Sequence, residues 1–279
     1  MSFSHSPDKS NAAGTEPRSG LRVLQITDPH LMADPAGELL GVNTRDSLDA
    51  VIALIQAEEG EPDVVVVSGD IAQDGSEAAY RAFQDRMTAF SCPVIWFAGN
   101  HDNVEVMQGV IGDTGAARKR LVLGGWQLIF LDSSVPGKVH GELTPSELAF
   151  LEASLNEHPD LPALIALHHH PVDIDCDWMS DIGLRNRDEL MQIVSQHGQV
   201  RGVLWGHIHQ QWENCQGNVR LMATPSTCIQ FAPESSGFSV DGLAPGYRWL
   251  ELFADGDIAS HVRRATDFEF SIDMNSQGY

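Results

Sequence analysis

Short unbroken apolar runs alternate with stretches in which apolar residues recur every three or four positions. Leu21 to Thr27 reads as a strand; after a loop with Asp34-Pro35 and Gly37, Leu48, Val51, Ile52 and Ile55 share one face of a helix opening near Asn43 or Thr44. Val64-Val65-Val66-Val67-Ser68 shows no alternation, the pattern of a parallel strand buried on both faces. Ala79, Phe83, Met87 and Phe90 predict a second helix from about Ser76, and Pro93 to Ala98 a third strand. Such a βαβαβ order sends its right-handed crossovers over the faces of a sheet.

Beyond Gly99-Asn100-His101-Asp102 the pattern changes. Arg120 to Leu123 and Trp126 to Leu131 form a predicted hairpin around Gly124-Gly125. Thr144-Pro145-Ser146-Glu147 is a capping box with proline at the first helical position, opening a helix to about His158. A strand over Leu164 to Leu167, a loop, a helix capped by Asn186 with Glu189 three on, and a strand over Val203 to Trp205 follow. The last third is mostly antiparallel, with Arg220 to Ala223 as a strand and a hairpin turning at Asp255-Gly256. With no repeat and no linker, residues 21–279 read as one domain of two packed sheets between helical layers. Residues 1–20, polar and without periodicity, read as a disordered tail.

Composition narrows the partners. Lys and Arg number 17 against 39 Asp and Glu, for a net charge of −22, which repels polyanions and argues against a nucleic acid or an anionic membrane. Cys92, Cys176, Cys215 and Cys228 form no CxxC pair, so neither a disulfide framework nor a thiolate zinc site is indicated. There is no secretory signal and no run long enough to span a bilayer, and the expectation is a cytoplasmic protein, monomeric or homodimeric.

The chemistry gathers where strands end. Asp28-Pro29-His30, Gly69-Asp70, Gly99-Asn100-His101-Asp102, His168-His169-His170-Pro171 and Gly206-His207-Ile208-His209 each close an apolar run. Any one of them alone reads as a turn; five together place carboxylates, an amide and imidazoles at the end of an α/β sheet where ligands bind. On extended backbone Asp28 and His30, two apart, point the same way and can share one metal, as can His207 and His209. Asp70 is a natural bridge between two cations, Asn100 offers a neutral carbonyl oxygen, and His169 another imidazole. Nitrogen and oxygen donors without thiolate suit Fe, Mn, Zn, Co or Ni. Two such cations, about 3.5–4 Å apart, share a hydroxide and clamp a phosphoryl group.

In this order the five blocks resemble the calcineurin-like metallophosphoesterases. Leu40 to Thr44, His140 to Leu143, Leu184 to Asn186, Thr224 to Phe231 and Ala244 to Gly246 are similar, more narrowly, to the bacterial class III 3′,5′-cyclic AMP phosphodiesterases. The resemblance implies a four-layer α/β/β/α sandwich with two mixed sheets flanked by helices, and two divalent or mixed-valence metal ions, Fe or Mn. It implies one metal on Asp28, His30, Asp70 and His209, and a second on Asp70, Asn100, His169 and His207. His169 is chosen for its place two residues before Pro171, with His168 and His170 as satisfied neighbours. It further implies that His101 faces the substrate and protonates the departing 3′-oxygen or stabilises its charge, with Asp102 as an orienting partner. His30, Asp70, Asn100, His101 and His209 would line the substrate site. The implied reaction turns 3′,5′-cyclic AMP into 5′-AMP by in-line attack of a metal-bridging hydroxide, lowering cyclic AMP signalling.

Two other readings remain open from residues alone. One is a phosphodiesterase of the same fold acting on other cyclic nucleotides or glycerophosphodiesters; the other is a non-catalytic scaffold, which should have eroded ligands. Thr227, Gln230 and Phe231 are candidates to line a nucleotide pocket, and Trp96, Trp126, Trp205 and Trp249 are expected in the core.

Overall fold

The computed structural model describes residues 19–276 and 278. Of the tail expected over residues 1–20, residues 1–18 lie outside the described residues.

In the first part of the chain, β1 (Leu21–Ile26) is followed by a small β2 (Glu38–Leu39) and β3 (Val42–Asn43) hairpin, α1 (Thr44–Glu58), β4 (Val64–Ser68), α2 (Glu77–Met87), β5 (Val94–Phe97) and α3 (Val104–Ile111). Then come β6 (Arg120–Leu123), β7 (Trp126–Phe130), α4 (Pro145–Glu157), β8 (Ala163–Ala166), a 3-10 turn (Asp177–Met179), α5 (Arg187–Gln196) and β9 (Val200–Trp205). The chain closes with β10 (Trp212–Gln216), β11 (Val219–Ala223), β12 (Gln230–Phe231), β13 (Val240–Asp241), β14 (Gly246–Leu252) and β15 (Ile258–Arg264).

Five strands form one mixed sheet in the order β15-β14-β1-β4-β5, and six form another in the order β10-β11-β9-β8-β7-β6. In the first, β1, β4 and β5 are parallel and β14 and β15 antiparallel; in the second, β7, β8, β9 and β11 are parallel and β6 and β10 are antiparallel edges. The valine run shows how they stack: Val64 and Val66 point into a core shared with Leu128, Leu164 and Leu204 of the second sheet, whereas Val65 and Val67 point at Leu48, Phe83 and Met107 of the helices. On the far side, Leu151, Leu155, Leu190 and Val194 of α4 and α5 cover Ile165 and Val203. The result is helix, sheet, sheet, helix. Each fully buried aliphatic side chain stabilises it by about 1.5–3 kcal/mol, so a strand buried on both faces needs no polar alternation.

The helix starts follow local chemistry. Asn43 Oδ1 accepts from Arg45 N and Asp46 N at 3.0 Å, Ser76 Oγ from Ala79 N at 3.2 Å and Thr144 Oγ1 from Glu147 N at 3.2 Å. Two details differ from expectation. The Glu147 carboxylate accepts from Asp132 N and from Lys119, tying α4 to the end of β7. Asn186 precedes α5 without capping it, because its amide is spent on both backbone groups of Leu143 at 2.9 Å. The eight-residue α3, capped by Asn103 directly after the Gly99 to Asp102 turn, was not anticipated. Among the described residues no helix is long and apolar enough to cross a membrane.

Candidate metal centre

The parallel strands β1, β4 and β5 of one sheet and β8 and β9 of the other release their chains into one region, and the backbone there is unusual. Asp28, His30, Asp70, His207 and His209 all have positive φ, between 48° and 65°. Asp and His tolerate this left-handed region better than most residues, at a cost of order 1–3 kcal/mol each. Neither the Asp28–His30 segment nor the His207–His209 segment is therefore extended, as the sequence had suggested. Asp28 and His30 still converge, with His209, to within 4.8 Å, but His207 parts from His209 and joins His168 and His169. Backbone bonds hold the twist: Asp28 N donates to the Gly69 carbonyl (3.1 Å) and His30 N to the Asp70 carbonyl (3.0 Å), prolonging the β1–β4 pairing past the strands. A Cβ on Gly99 would strike Asp70 Oδ1 and one on Gly206 would strike Thr27 and Asp28, so both turns approach the carboxylates as only glycine can.

Each imidazole is oriented by the nitrogen it does not turn inward. His30 Nδ1–H donates to Gln73 Oε1 (2.6 Å) and His209 Nδ1–H to the Ile229 carbonyl (2.9 Å), so their two Nε2 atoms turn into the same space and are hydrogen-bonded to each other at 3.1 Å. Asp28 Oδ1 lies 3.4 Å from His209 Nε2. Two imidazole nitrogens and a carboxylate so gathered form a candidate donor set for a cation. Asp70 stands between this group and the next: its Oδ1 accepts from His101 N (2.9 Å), and its Oδ2 is 3.9 Å from His30 Nε2 and 3.2 Å from His168 Nε2.

The histidine run resolves differently from expectation. His168 donates Nδ1–H to the Ser68 carbonyl (2.7 Å) and turns Nε2 to Asp70 and to Asn100 Oδ1, the latter at 3.2 Å. Ser133 Oγ–H donates to His169 Nδ1 (2.8 Å), and His169 Nε2–H donates to the Val139 carbonyl (3.1 Å), so both ring nitrogens of His169 are engaged. His207 donates Nε2–H to the Ile182 carbonyl (3.0 Å), which leaves Nδ1 as its candidate ligand atom. The structure thus sets His168, rather than His169, beside Asp70 and Asn100.

Electrostatics follows from burial. Desolvation would raise the Asp70 carboxyl, but the imidazoles of His168, His101 and His30 outweigh it and hold it well below its ordinary value. Burial works against charge on His168 as well, and here Asp70 and Asp28 win, raising it to about 9. Burial, with neighbouring imidazoles, drives His169 and His207 well below the usual range, and burial lowers His30 to about 3. Asp102 does not orient His101. Its carboxylate accepts from Ile71 N (3.1 Å), Ala72 N (3.0 Å), Gly99 N (2.9 Å) and the Tyr80 hydroxyl (3.0 Å), fastening the turn from below.

The centre opens into a cavity of about 440 Å³ floored by Asp70, Asn100, His101 and His207 and walled by Trp178, Phe231 and Phe238. Of the three candidates for the nucleotide pocket, Phe231 lines it, while Thr227 and Gln230 are buried against the carbonyls of Thr27 and Ser226. The four expected core tryptophans are buried. Sequence reasoning missed Gln73, Ser133, Trp178 and Phe238, whose only signal was an isolated polar or aromatic side chain in a loop.

Comparison with known proteins agrees with this geometry. Residues 21–211 match the model of the calcineurin-like phosphoesterases. The chain is 40% identical over 270 residues to the 3′,5′-cyclic adenosine monophosphate phosphodiesterase CpdA of Pseudomonas aeruginosa, covering 97% of this chain and 98% of that one. It is 43% identical over 261 residues to CpdA of Escherichia coli K12, covering 93% and 95%. In structure it is similar to a dimetal phosphatase from Danio rerio, with a TM-score of 0.67 at 15% identity, covering 92% of this chain and 100% of that one. Two sheets that meet at an Asp- and His-rich strand-end centre, and a match running through every one of its five blocks, place the chain in the calcineurin-like phosphoesterase family.

Proposed function

We propose that the chain is a metal-dependent 3′,5′-cyclic-nucleotide phosphodiesterase that converts cyclic AMP to 5′-AMP. The observation that carries the reading is the position of Asp70, whose carboxylate lies between two groups of imidazole and carboxylate donors at the floor of a nucleotide-sized cavity. Relatives named as cyclic AMP phosphodiesterases, similar over nearly the whole chain, support the substrate.

Asp28, His30, His209 and Asp70 would hold one cation, and Asp70, Asn100, His168 and His207 the other, with His168 in place of His169. Iron or manganese suits such nitrogen and oxygen donors. When bound, the pair supplies an acidified water and neutralises charge on the phosphoryl oxygens. The remaining work belongs to side chains. Asn100 and Asp70 fix the floor on which the phosphate rests, and His101, held by its own N–H on Asp70, faces the cavity. As water adds to phosphorus opposite the 3′-oxygen and gives up a proton to solvent, the P–O3′ bond breaks and protonated His101 gives its proton to the departing oxygen, to be re-protonated from solvent, leaving the phosphate on the 5′-oxygen. Gln73, Ser68 and the Ile182 and Ile229 carbonyls keep the imidazole tautomers fixed while this happens.

The test is 5′-AMP formation by manganese- or iron-loaded protein beside a chelated sample, Asp70→Ala and His101→Ala. Chelation and Asp70→Ala should abolish product, and His101→Ala should slow it about 10²–10⁴-fold, the range for loss of a positioned general acid. Loaded protein that leaves cyclic AMP intact yet cleaves a generic aryl phosphodiester would sink the substrate assignment.

A further inference from the structure

Two loops outside the sheets build the wall of the cavity, and nothing in the hydrolysis requires them to be aromatic. One carries the 3-10 turn Asp177–Met179; the other is the end of β12, which carries Phe231, with the loop to β13, which carries Phe238. They meet through three rings, with the Trp178 centroid 5.2 Å from Phe231 and 5.3 Å from Phe238, and 5.5 Å between the two phenylalanines. Polar bonds lock the pair: Trp178 Nε1–H donates to Ser235 Oγ (3.1 Å), Ser235 Oγ–H to the Ala232 carbonyl (2.9 Å) and Asp177 N to the Ser235 carbonyl (3.2 Å). Each loop is also tied to a candidate ligand. The Phe231 ring stacks on His209 at 4.2 Å and 9°, and the Ile182 carbonyl receives His207.

We propose that Trp178, with Phe231 and Phe238, forms the subsite that takes the purine ring of the substrate, so that these loops set base selectivity while the strand ends carry out hydrolysis. The inference rests on the cyclic-nucleotide reading above. The cavity, about 440 Å³, falls within the usual range for small-molecule sites and is polar at one end and aromatic at the other. In a chain of net charge −22 an anionic phosphate is drawn to the cation-binding floor, which leaves the base directed at the wall. The indole N–H is consumed by Ser235, so Trp178 offers the ligand an apolar surface rather than a hydrogen bond. Recognition is then by stacked area, which favours a purine over a pyrimidine and is indifferent to the exocyclic groups of the base.

The experiment compares wild type, Trp178→Ala and Trp178→Phe, all manganese-loaded, on 3′,5′-cyclic AMP, 3′,5′-cyclic CMP and the base-free 3′,5′-cyclic phosphate of 1-deoxyribose. Loss of one stacking ring should raise KM for cyclic AMP about 5- to 100-fold, with kcat little changed, as expected for binding energy expressed equally in substrate and transition state. Cyclic CMP should suffer less, the base-free ester should be unaffected, and Trp178→Phe should recover most of the loss. If Trp178→Ala weakens cyclic AMP and the base-free ester alike, or neither, the subsite is wrong while the phosphodiesterase stands. Wild type that spares cyclic AMP but cuts a generic phosphodiester overturns both.

Discussion

Around Asp28, His30 and His209 turn their Nε2 atoms toward one carboxylate, each ring fixed from behind by an acceptor, Gln73 or the Ile229 carbonyl. Around Asp70, His168 faces two oxygen acceptors at once, Asp70 Oδ2 and Asn100 Oδ1, an arrangement that a proton on Nε2 satisfies in the absence of metal. Asp28, His30 and His209 on one side and Asp70 and His168 on the other are all buried, so solvent does not distinguish them. The difference is the second acceptor. On the Asp70 side a cation would have to displace the proton that His168 holds between Asp70 and Asn100.

The sharpest way to break this comparison is to separate the neighbours His168 and His169. His168→Ala should cost the protein one of its two metal equivalents by elemental analysis, and at least 100-fold in activity. His169→Ala, which disturbs only the bonds to Ser133 and Val139, should stay within the roughly 10–100-fold expected of an orienting residue. Equal loss of metal in the two variants would restore His169 to the ligand set.

Next in size is the dependence on pH. His168 is raised to about 9, so at neutral pH it holds a proton that loading must displace, whereas His30 and His207 are already neutral. Apparent affinity should rise about tenfold per pH unit from neutrality to about pH 9 and then level off, with about one proton released per chain at pH 7. Calorimetry in buffers of different ionisation enthalpy reads that proton directly, and His168→Asn should remove it. The stability of chelated protein moves the other way. A raised imidazole contributes stability that is fully present below its ordinary value of 6.5 and is lost as pH rises through about 9. The smallest effect belongs to Gln73→Ala, which frees the His30 tautomer and should weaken metal binding about tenfold, with little change in proton release.

Much of this was legible in the residues because it depends on periodicity and on strand ends. The valine run of β4, the capped starts of α1 and α2 and the glycine turn between β6 and β7 each follow from a local rule that tertiary contacts did not override. The gathering of Asp and His side chains at five strand ends was visible for the same reason. What escaped depends on contacts distant in sequence. A run of three histidines shows no preference until Ser133 and Val139 occupy one of them. Asp102 reads as a partner of His101 until Tyr80 and three backbone amides claim its oxygens. Trp178 gains meaning only when Phe231 and Phe238 arrive from another loop. The geometry of Asp28 and His30 is not legible from strand periodicity, because β1 ends at Ile26 and the backbone is left-handed at both residues.

That left-handed turn sets thermal robustness against chemistry. At Asp28, His30, Asp70, His207 and His209 the chain adopts a conformation that glycine occupies freely and side chains occupy at a cost. Replacing one of them by glycine would relax the backbone but also remove a buried, hydrogen-bonded side chain and a candidate ligand in the same step, so such a variant should gain less in melting temperature from added metal than the parent protein does. The backbone is strained at the positions that carry the candidate ligands, and ions held there would offset that cost.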